Sequence, residues 1–267
     1  MPAGLRSLPL AAMYNGDHFL VEDYSLGLIP SLALIDIQYR PLANTELLAM
    51  GASEFQTLSA LPAVPLELNT ITNSLWQGTT LLNESFTRAN ITRTRDRNPY
   101  PILHLATHGE FGSSETGSFI QLWDERLYLN QIREMGWNDP PVELLVLSAC
   151  RTAVGDDAAE LGFAGFAIAA GVKSALASLW YVSDVGTLTL MTQFYHYLSE
   201  TDIKAEALRQ AQLALIHNEF ELLDTGEIYF PNLDRSFPLP PETSANEIQN
   251  LAHPYYWSAF TMIGSPW

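Results

Sequence analysis

The stretch LLVLSACRTAVGD, Leu144 to Asp156, reads as a buried strand running into a polar turn that carries the chain's one cysteine, Cys150. Its four apolar residues, Leu144 to Leu147, suit a strand covered on both faces, and Arg151, Thr152 and Gly155 then turn the chain. A second run of this kind, ILHLATHGEF at 102–111, leads into Thr107, His108 and Gly109. A thiol and an imidazole therefore each follow an apolar strand at its carboxyl end, the edge of a parallel sheet where ligands bind. A free thiol has a pKa of about 8.5 and is mostly protonated at neutral pH, so a nucleophilic Cys150 needs a base or cation beside it. A lone cysteine can equally be a small buried hydrophobe.

Working outward, strands and helices alternate. LLAM at 47–50 precedes a helical stretch at 66–75, GTTLL at 78–82 and a helix at about 84–95 that leads to the His108 strand. An insertion with short elements of its own, 119–137, separates that strand from the Cys150 strand. Beyond it the pattern predicts a helix over 158–170, a strand over 174–180 and a helix opened by Ser183 or Asp184 as N-cap that runs through Phe194 and Tyr195. Repeated βαβ units imply an α/β fold with a mainly parallel sheet covered on both faces. Ala205, Leu208, Ala211 and Leu215 fall at helical spacing and form a packing stripe. Residues 218–250, with Pro231, Pro238, Pro240 and Pro241, read as an irregular surface insertion, and HPYYWSAFTMIG from His253 as a turn followed by a last buried strand.

Composition narrows the function classes. With 267 residues, 47% of them hydrophobic and 16% charged, the chain can bury a large core. Thirteen basic against 30 acidic residues leave a net charge of −17, which repels phosphate backbones and anionic lipid heads, so neither nucleic acid nor membrane is expected as a partner. The apolar segment 161–180 matches a membrane span in length, but Gly162, Gly165, Gly171 and Lys173 break it into a small-residue helix, a turn and a strand. One cysteine makes no intrachain disulfide, and the apolar stretch after Arg6 is too short for a secretory leader; a cytoplasmic location is expected. His104 and His108 are four apart on a strand and could share a face as metal ligands, yet no third ligand has matching spacing. A core role suits His104, and no metal or other cofactor is expected.

The motifs GLRSLPLAAM, LLAMGASEF, LPAVPLEL, ILHLATHGEF, LLVLSACRTAVGD, AGVKSALASLW, VSD and HPYYWSAFTMIG span nearly the whole chain. In these motifs and their order the chain resembles the CHAT-domain proteins, caspase-like peptidases related to separase and the metacaspases. The resemblance implies a caspase-like α/β/α sandwich and a catalytic dyad in which the ATHG histidine is His108 and the SAC cysteine is Cys150. It implies peptide hydrolysis through a thioester, with the backbone N–H groups of Gly109 and Cys150 as oxyanion donors.

Relatives hold a basic residue before the scissile bond with acids. Asp184, which follows the strand after Cys150, is the first such candidate, with a helix N-cap as its alternative role. Glu54 and Asp156 are further candidates, or else solvated loop acids. Arg151 would anchor the nucleophile loop by pairing with an acid, with binding of an acidic substrate group as its alternative role.

Family members carry more of this domain, and often tetratricopeptide repeats, before the GLRSLPLAAM motif. The resemblance thus implies one CHAT domain over 1–267 lacking its N-terminal part, with a protein or peptide substrate and a repeat segment or regulatory partner. Two other readings stay open: a catalytically silent module that binds a protein partner, and an enzyme that is latent until segment 155–160 is released.

Overall fold

The computed structural model describes residues 8–29, 31, 33, 36–110, 118–148, 167, 168, 170–240 and 243–267. In chain order the strands are β1 (Gly27–Leu28), β2 (Leu47–Gly51), β3 (Gly78–Leu82), β4 (Ile102–Ala106), β5 (Gly109–Glu110), β6 (Phe119–Gln121), β7 (Arg126–Tyr128), β8 (Leu144–Leu147), β9 (Ser174–Ser178), β10 (Glu221–Leu222), β11 (Glu227–Phe230), β12 (Arg235–Pro238) and β13 (Phe260–Gly264). The helices are α1 (Leu20–Asp23), α2 (Val64–Thr70), α3 (Arg88–Arg97), α4 (Asp184–Glu200), α5 (Lys204–Ile216), α6 (Ala245–Gln249) and α7 (Pro254–Trp257).

Seven strands form the central sheet in the order β1-β13-β9-β8-β4-β2-β3. Among the described strands of this sheet, only the β9–β13 pairing is antiparallel. The expected mainly parallel α/β architecture is therefore what the chain adopts. Strands β2, β4, β8 and β9 are buried along their whole length, as continuous apolar runs require when both faces are covered.

Side-chain alternation divides the core in two. Ala49, Ile102, Val146 and Leu176 meet Leu68 of α2, Phe194 of α4 and Leu208 of α5 on one face. Leu48, Leu103, Leu145 and Ala175 meet Ile91 of α3, Ile132 and Trp137 on the other. Each buried Leu, Ile, Val or Phe side chain among them contributes roughly 1.5–3 kcal/mol by leaving water. Gly51 closes β2 where α2 and β4 crowd together: a Cβ there would lie 2.4 Å from the Ala106 carbonyl oxygen and 2.8 Å from Val64 Cγ1. The bare backbone at Gly51 thus lets α2 sit low over the sheet's carboxyl edge.

Several sequence expectations change. The predicted helix at 84–95 is a 3₁₀ turn, Asn83–Ser85, followed by α3, because Thr87 caps a new start by accepting a hydrogen bond from the Asn90 N–H. The predicted helix at 158–170 lies almost wholly outside the described residues. Of the two capping candidates for α4, Ser183 takes the role, its Oγ accepting from the Gly186 N–H at 3.4 Å, and Asp184 is the first helical residue.

Residues 218–250, read as irregular, carry the three-stranded antiparallel sheet β10-β11-β12 and the short helix α6. Ile228, Phe230 and Phe237 of this sheet are buried in the same core as α4 and α5, so apolar packing orders a proline-containing stretch. No helix of the described residues is long and apolar enough to cross a membrane.

At the amino edge of the sheet, opposite His108, charged residues are buried. Glu143 and Lys173, which precede β8 and β9, lie 3.2 Å apart, and Lys173 Nζ is also 2.6 Å from Asp36 Oδ2. Lys204, at the start of α5, is buried beside them with Nζ 3.5 Å from the Glu143 carbonyl oxygen.

Candidate active site at the carboxyl edge of the sheet

His108 leaves β4 at the edge of the sheet and is held on two sides. Gln121 of β6 donates its N–H to the His108 carbonyl at 2.8 Å, and its own carbonyl accepts from Thr107 Oγ1 at 2.7 Å. These bonds pin the turn out of β4. The half-buried imidazole packs on Phe55, ring centroids 4.7 Å apart, and its Nε2 lies 2.8 Å from the Ser59 carbonyl oxygen. A carbonyl only accepts, so Nε2 carries the proton and Nδ1 of the neutral ring keeps the lone pair that can take one.

Gly109 faces Ile120 in the β5–β6 pair, and the neighbouring hydrogen bond runs from Gln121 N–H to the His108 carbonyl. Gly109 is thus the non-hydrogen-bonded member of that antiparallel ladder, and its own N–H points away from β6. Glu54 belongs to the same loop as Phe55 and Ser59 and is solvent-exposed.

The neighbouring strand β8 ends at Leu147, and Ser148 beyond it donates its N–H to the Leu105 carbonyl at 3.1 Å. The β4–β8 register pairs Ile102 with Leu144 and Leu105 with Leu147, an offset of 147 − 105 = 42 residues. His108 and Cys150 are separated by the same number, 150 − 108 = 42. Cys150 itself, Arg151, Asp156 and segment 155–160 lie outside the described residues.

Next to Ser148 is a narrow cleft, with room for about one water molecule, whose lining includes Leu61, Val64, Glu67, Ser148, Asp184 and Leu188. Asp184 reaches it from the first turn of α4. Burial, reinforced by the nearby charges of Glu67 and Glu247, pushes the Asp184 carboxyl above the usual aspartate value of 3.8. Glu67 comes from the first turn of α2, a position that favours an anion. Its Oε1 is 3.2 Å from Nε2 of the fully buried His104, whose Nδ1 is 3.0 Å from the Tyr195 hydroxyl. The Tyr195 phenol is raised well above 10.0, by burial first and then by Glu67. His104 is thus a core histidine with both ring nitrogens facing protein groups.

Of the residues singled out in the sequence, the structure gathers His108, Gly109 and Asp184 at the carboxyl edge. It adds Phe55, the Ser59 carbonyl, Glu67 and Ser148. Glu67 and Ser148 stand within the quoted LPAVPLEL and LLVLSAC motifs, but nothing in those motifs marks them as cleft residues.

A mainly parallel α/β sandwich with His108 and Ser148 just beyond the ends of adjacent strands belongs to the caspase-like class of folds. The chain itself is a member of the CHAT family, the CHAT domain matching residues 1–265. No curated protein matches it. Among solved structures, the Arg specific cysteine proteinase gingipain R (RgpB) aligns over 83% of this chain and 46% of its own, at 12% identity and a TM-score of 0.47. The complex of Porphyromonas gingivalis RgpB pro- and mature domains aligns over 83% and 47%, at 14% identity and a TM-score of 0.48. The chain thus spans a little under half the length of these proteinases.

Proposed function

We propose that this CHAT domain is a cysteine endopeptidase that hydrolyses peptide bonds in protein substrates, with Cys150 as nucleophile and His108 as proton carrier, and that it cleaves after a basic residue. The observation that carries the reading is the 2.8 Å contact between His108 Nε2 and the Ser59 carbonyl. It favours the tautomer in which Nδ1 is free to act as the base. The shared offset of 42 supports the partnership, since counted along the sequence each residue stands three positions beyond one of the paired strand residues Leu105 and Leu147.

In this mechanism His108 Nδ1 takes the thiol proton, and Cys150 Sγ attacks the substrate carbonyl carbon. The oxyanion accepts hydrogen bonds from the Gly109 and Cys150 N–H groups, each worth roughly 3 kcal/mol in the transition state. Collapse breaks the C–N bond as His108 passes its proton to the leaving amine. His108 then deprotonates a water molecule, which attacks the thioester and releases the new carboxyl group, and the proton returns to the thiol. Asp184, in the cleft beside Ser148, supplies negative charge for a basic side chain.

Fluorogenic peptides with Arg, Lys, Leu or Asp before the scissile bond test the reading, with Cys150→Ala and His108→Ala as controls. Cleavage after the basic residues that disappears in both controls is the expected result. A chain that stays inactive although folded, and binds a protein partner, would be the silent or latent module instead.

A further inference from the structure

Two buried side-chain atoms of the residues lining the narrow cleft beside β8 have no hydrogen-bond partner: Glu67 Oε1 and Ser148 Oγ. Their residues are only 5% and 4% exposed. Behind Glu67, Nε2 of His104 lies 3.2 Å away, close enough for charge pairing but without a hydrogen bond of its own. A buried carboxylate oxygen and a buried hydroxyl beside one small space are costly unless something bonds both, and no side chain of the described residues does so.

Size and chemistry identify what does. The cleft has room for about one water molecule. Glu67 offers an acceptor, Ser148 a hydroxyl that donates as well as accepts, and Asp184 a further carboxyl in the lining. A water suits this set: it donates to Glu67 Oε1, accepts from the Ser148 O–H and keeps its second O–H for Asp184, about the three bonds that a buried water typically makes.

The two ends of such a bridge belong to the two halves of the Cys/His pair. The loop that holds His108, through Phe55 and the Ser59 carbonyl, leads into α2, and Glu67 lies in the first turn of that helix. Ser148 donates its N–H to the Leu105 carbonyl of β4 at 3.1 Å and stands two residues before Cys150 in the sequence. On the far side of Glu67, His104 Nδ1 and the Tyr195 hydroxyl, 3.0 Å apart, carry the polar chain on to α4.

We propose that Glu67 and Ser148 are positioning residues for the peptidase reaction, joined by one buried water that ties the helix after the His108 loop to the start of the Cys150 segment. The bridge sets the placement of nucleophile against base. It rests on the peptidase reading and adds to it two residues that act through others. A misplacement of about 1 Å can cost roughly 100-fold in rate, so the bridge acts on kcat rather than on KM.

Peptide hydrolysis and Cys150 alkylation, measured side by side in the full chain carrying Ser148→Ala, Glu67→Met or both, test the proposal. Each single change is expected to lower kcat roughly 10-fold with KM within about twofold, and the double variant to fall no further, because one bridge is lost once. Glu67→Gln still bonds a water and is expected to recover most of the loss. If Glu67→Met does not fold, Ser148→Ala and Glu67→Gln still carry the test, beside a high-resolution crystal structure expected to show one water within hydrogen-bond distance of both side chains.

A Ser148→Ala variant within about twofold of wild type in kcat, losses that multiply in the double variant, Glu67→Gln as slow as Glu67→Met, or no water between the two residues would overturn the proposal. The peptidase reading fails separately, because alkylation needs no turnover. Ser148→Ala changes no charge and is expected to slow labelling of Cys150 near neutral pH. That slowing, in a chain whose wild type cleaves no peptide, would sustain the bridge and sink the peptidase.

Discussion

The imidazole Nε2 of His108 and the main-chain oxygen of Ser59 lie 2.8 Å apart, joining the turn out of β4 to the loop after β2. In a Cys/His mechanism the base must present a chosen nitrogen, and here a backbone carbonyl does the orienting that a carboxylate does elsewhere. Phe55 covers the ring from the same loop. One connection therefore sets both the tautomer and the tilt of His108.

Replacing His108 removes both proton transfers. His108→Ala is expected to lower kcat/KM for peptide hydrolysis by roughly 10²–10⁴-fold while leaving the melting temperature nearly unchanged, since the half-buried ring leaves a space solvent can reach. Steady-state kinetics beside a thermal melt would check it.

The two residues that orient His108 differ in kind. Ser59 acts through its main chain, so Ser59→Ala should leave activity within about twofold, as surface substitutions generally do. Phe55→Ala takes away the ring contact, worth roughly 0.5–1.5 kcal/mol, and should lower kcat several-fold with little change in KM. Equal losses in the two variants would mean that the loop matters for another reason.

Asp184 gives the cleft a pH dependence. Its carboxyl is held above 3.8, first by burial and then by Glu67 and Glu247, so it takes up a proton at a higher pH than a surface aspartate. Cleavage after arginine, relative to cleavage after leucine, should therefore fall on acidification before surface aspartates titrate, and Asp184→Asn should abolish that pH dependence. Stability moves the other way. A carboxyl with a raised folded pKa binds its proton more tightly folded than unfolded, so its charge costs stability as pH rises through that window. Asp184→Asn should accordingly be no less stable than wild type at neutral pH, which urea unfolding would show.

Far from the site, Lys204 is lowered from 10.5 to about 8, mainly by burial, with the Lys173 charge acting in the same direction and Glu143 and Asp36 opposing. Its place at the start of α5 adds an unfavourable interaction with the helix dipole. Between pH 8 and 10.5 the unfolded chain binds more protons at this position, so the stability of the wild type should rise with pH there. Lys204→Met is expected to stabilise the fold by about 2 kcal/mol at pH 7 and to remove that rise, as urea titrations at pH 7 and pH 9.5 would show.

Much of the fold was legible because its central strands are continuous apolar runs. LLAM, GTTLL, ILHLA, LLVL and SALAS read as strands and form β2, β3, β4, β8 and β9. Residues 218–250 were harder. The prolines suggested a loop, yet Ile228, Phe230 and Phe237 keep the alternation of a half-buried sheet, and only their packing against α4 and α5 makes it worth forming. Glu67 was hidden for a different reason. A glutamate on a short amphipathic helix reads as solvated, and its burial comes from His104, which is remote in sequence. The Ser59 carbonyl leaves no side-chain signature at all.

The most direct test of the Cys150/His108 dyad is the alkylation rate of the chain's single thiol, followed by intact mass across pH in folded wild type and in folded His108→Ala. The dyad predicts rapid labelling near neutral pH, with an apparent pKa below the ordinary thiol value of about 8.5, and a marked slowing in the variant. Labelling only after unfolding, or at the same rate in both proteins, would contradict it.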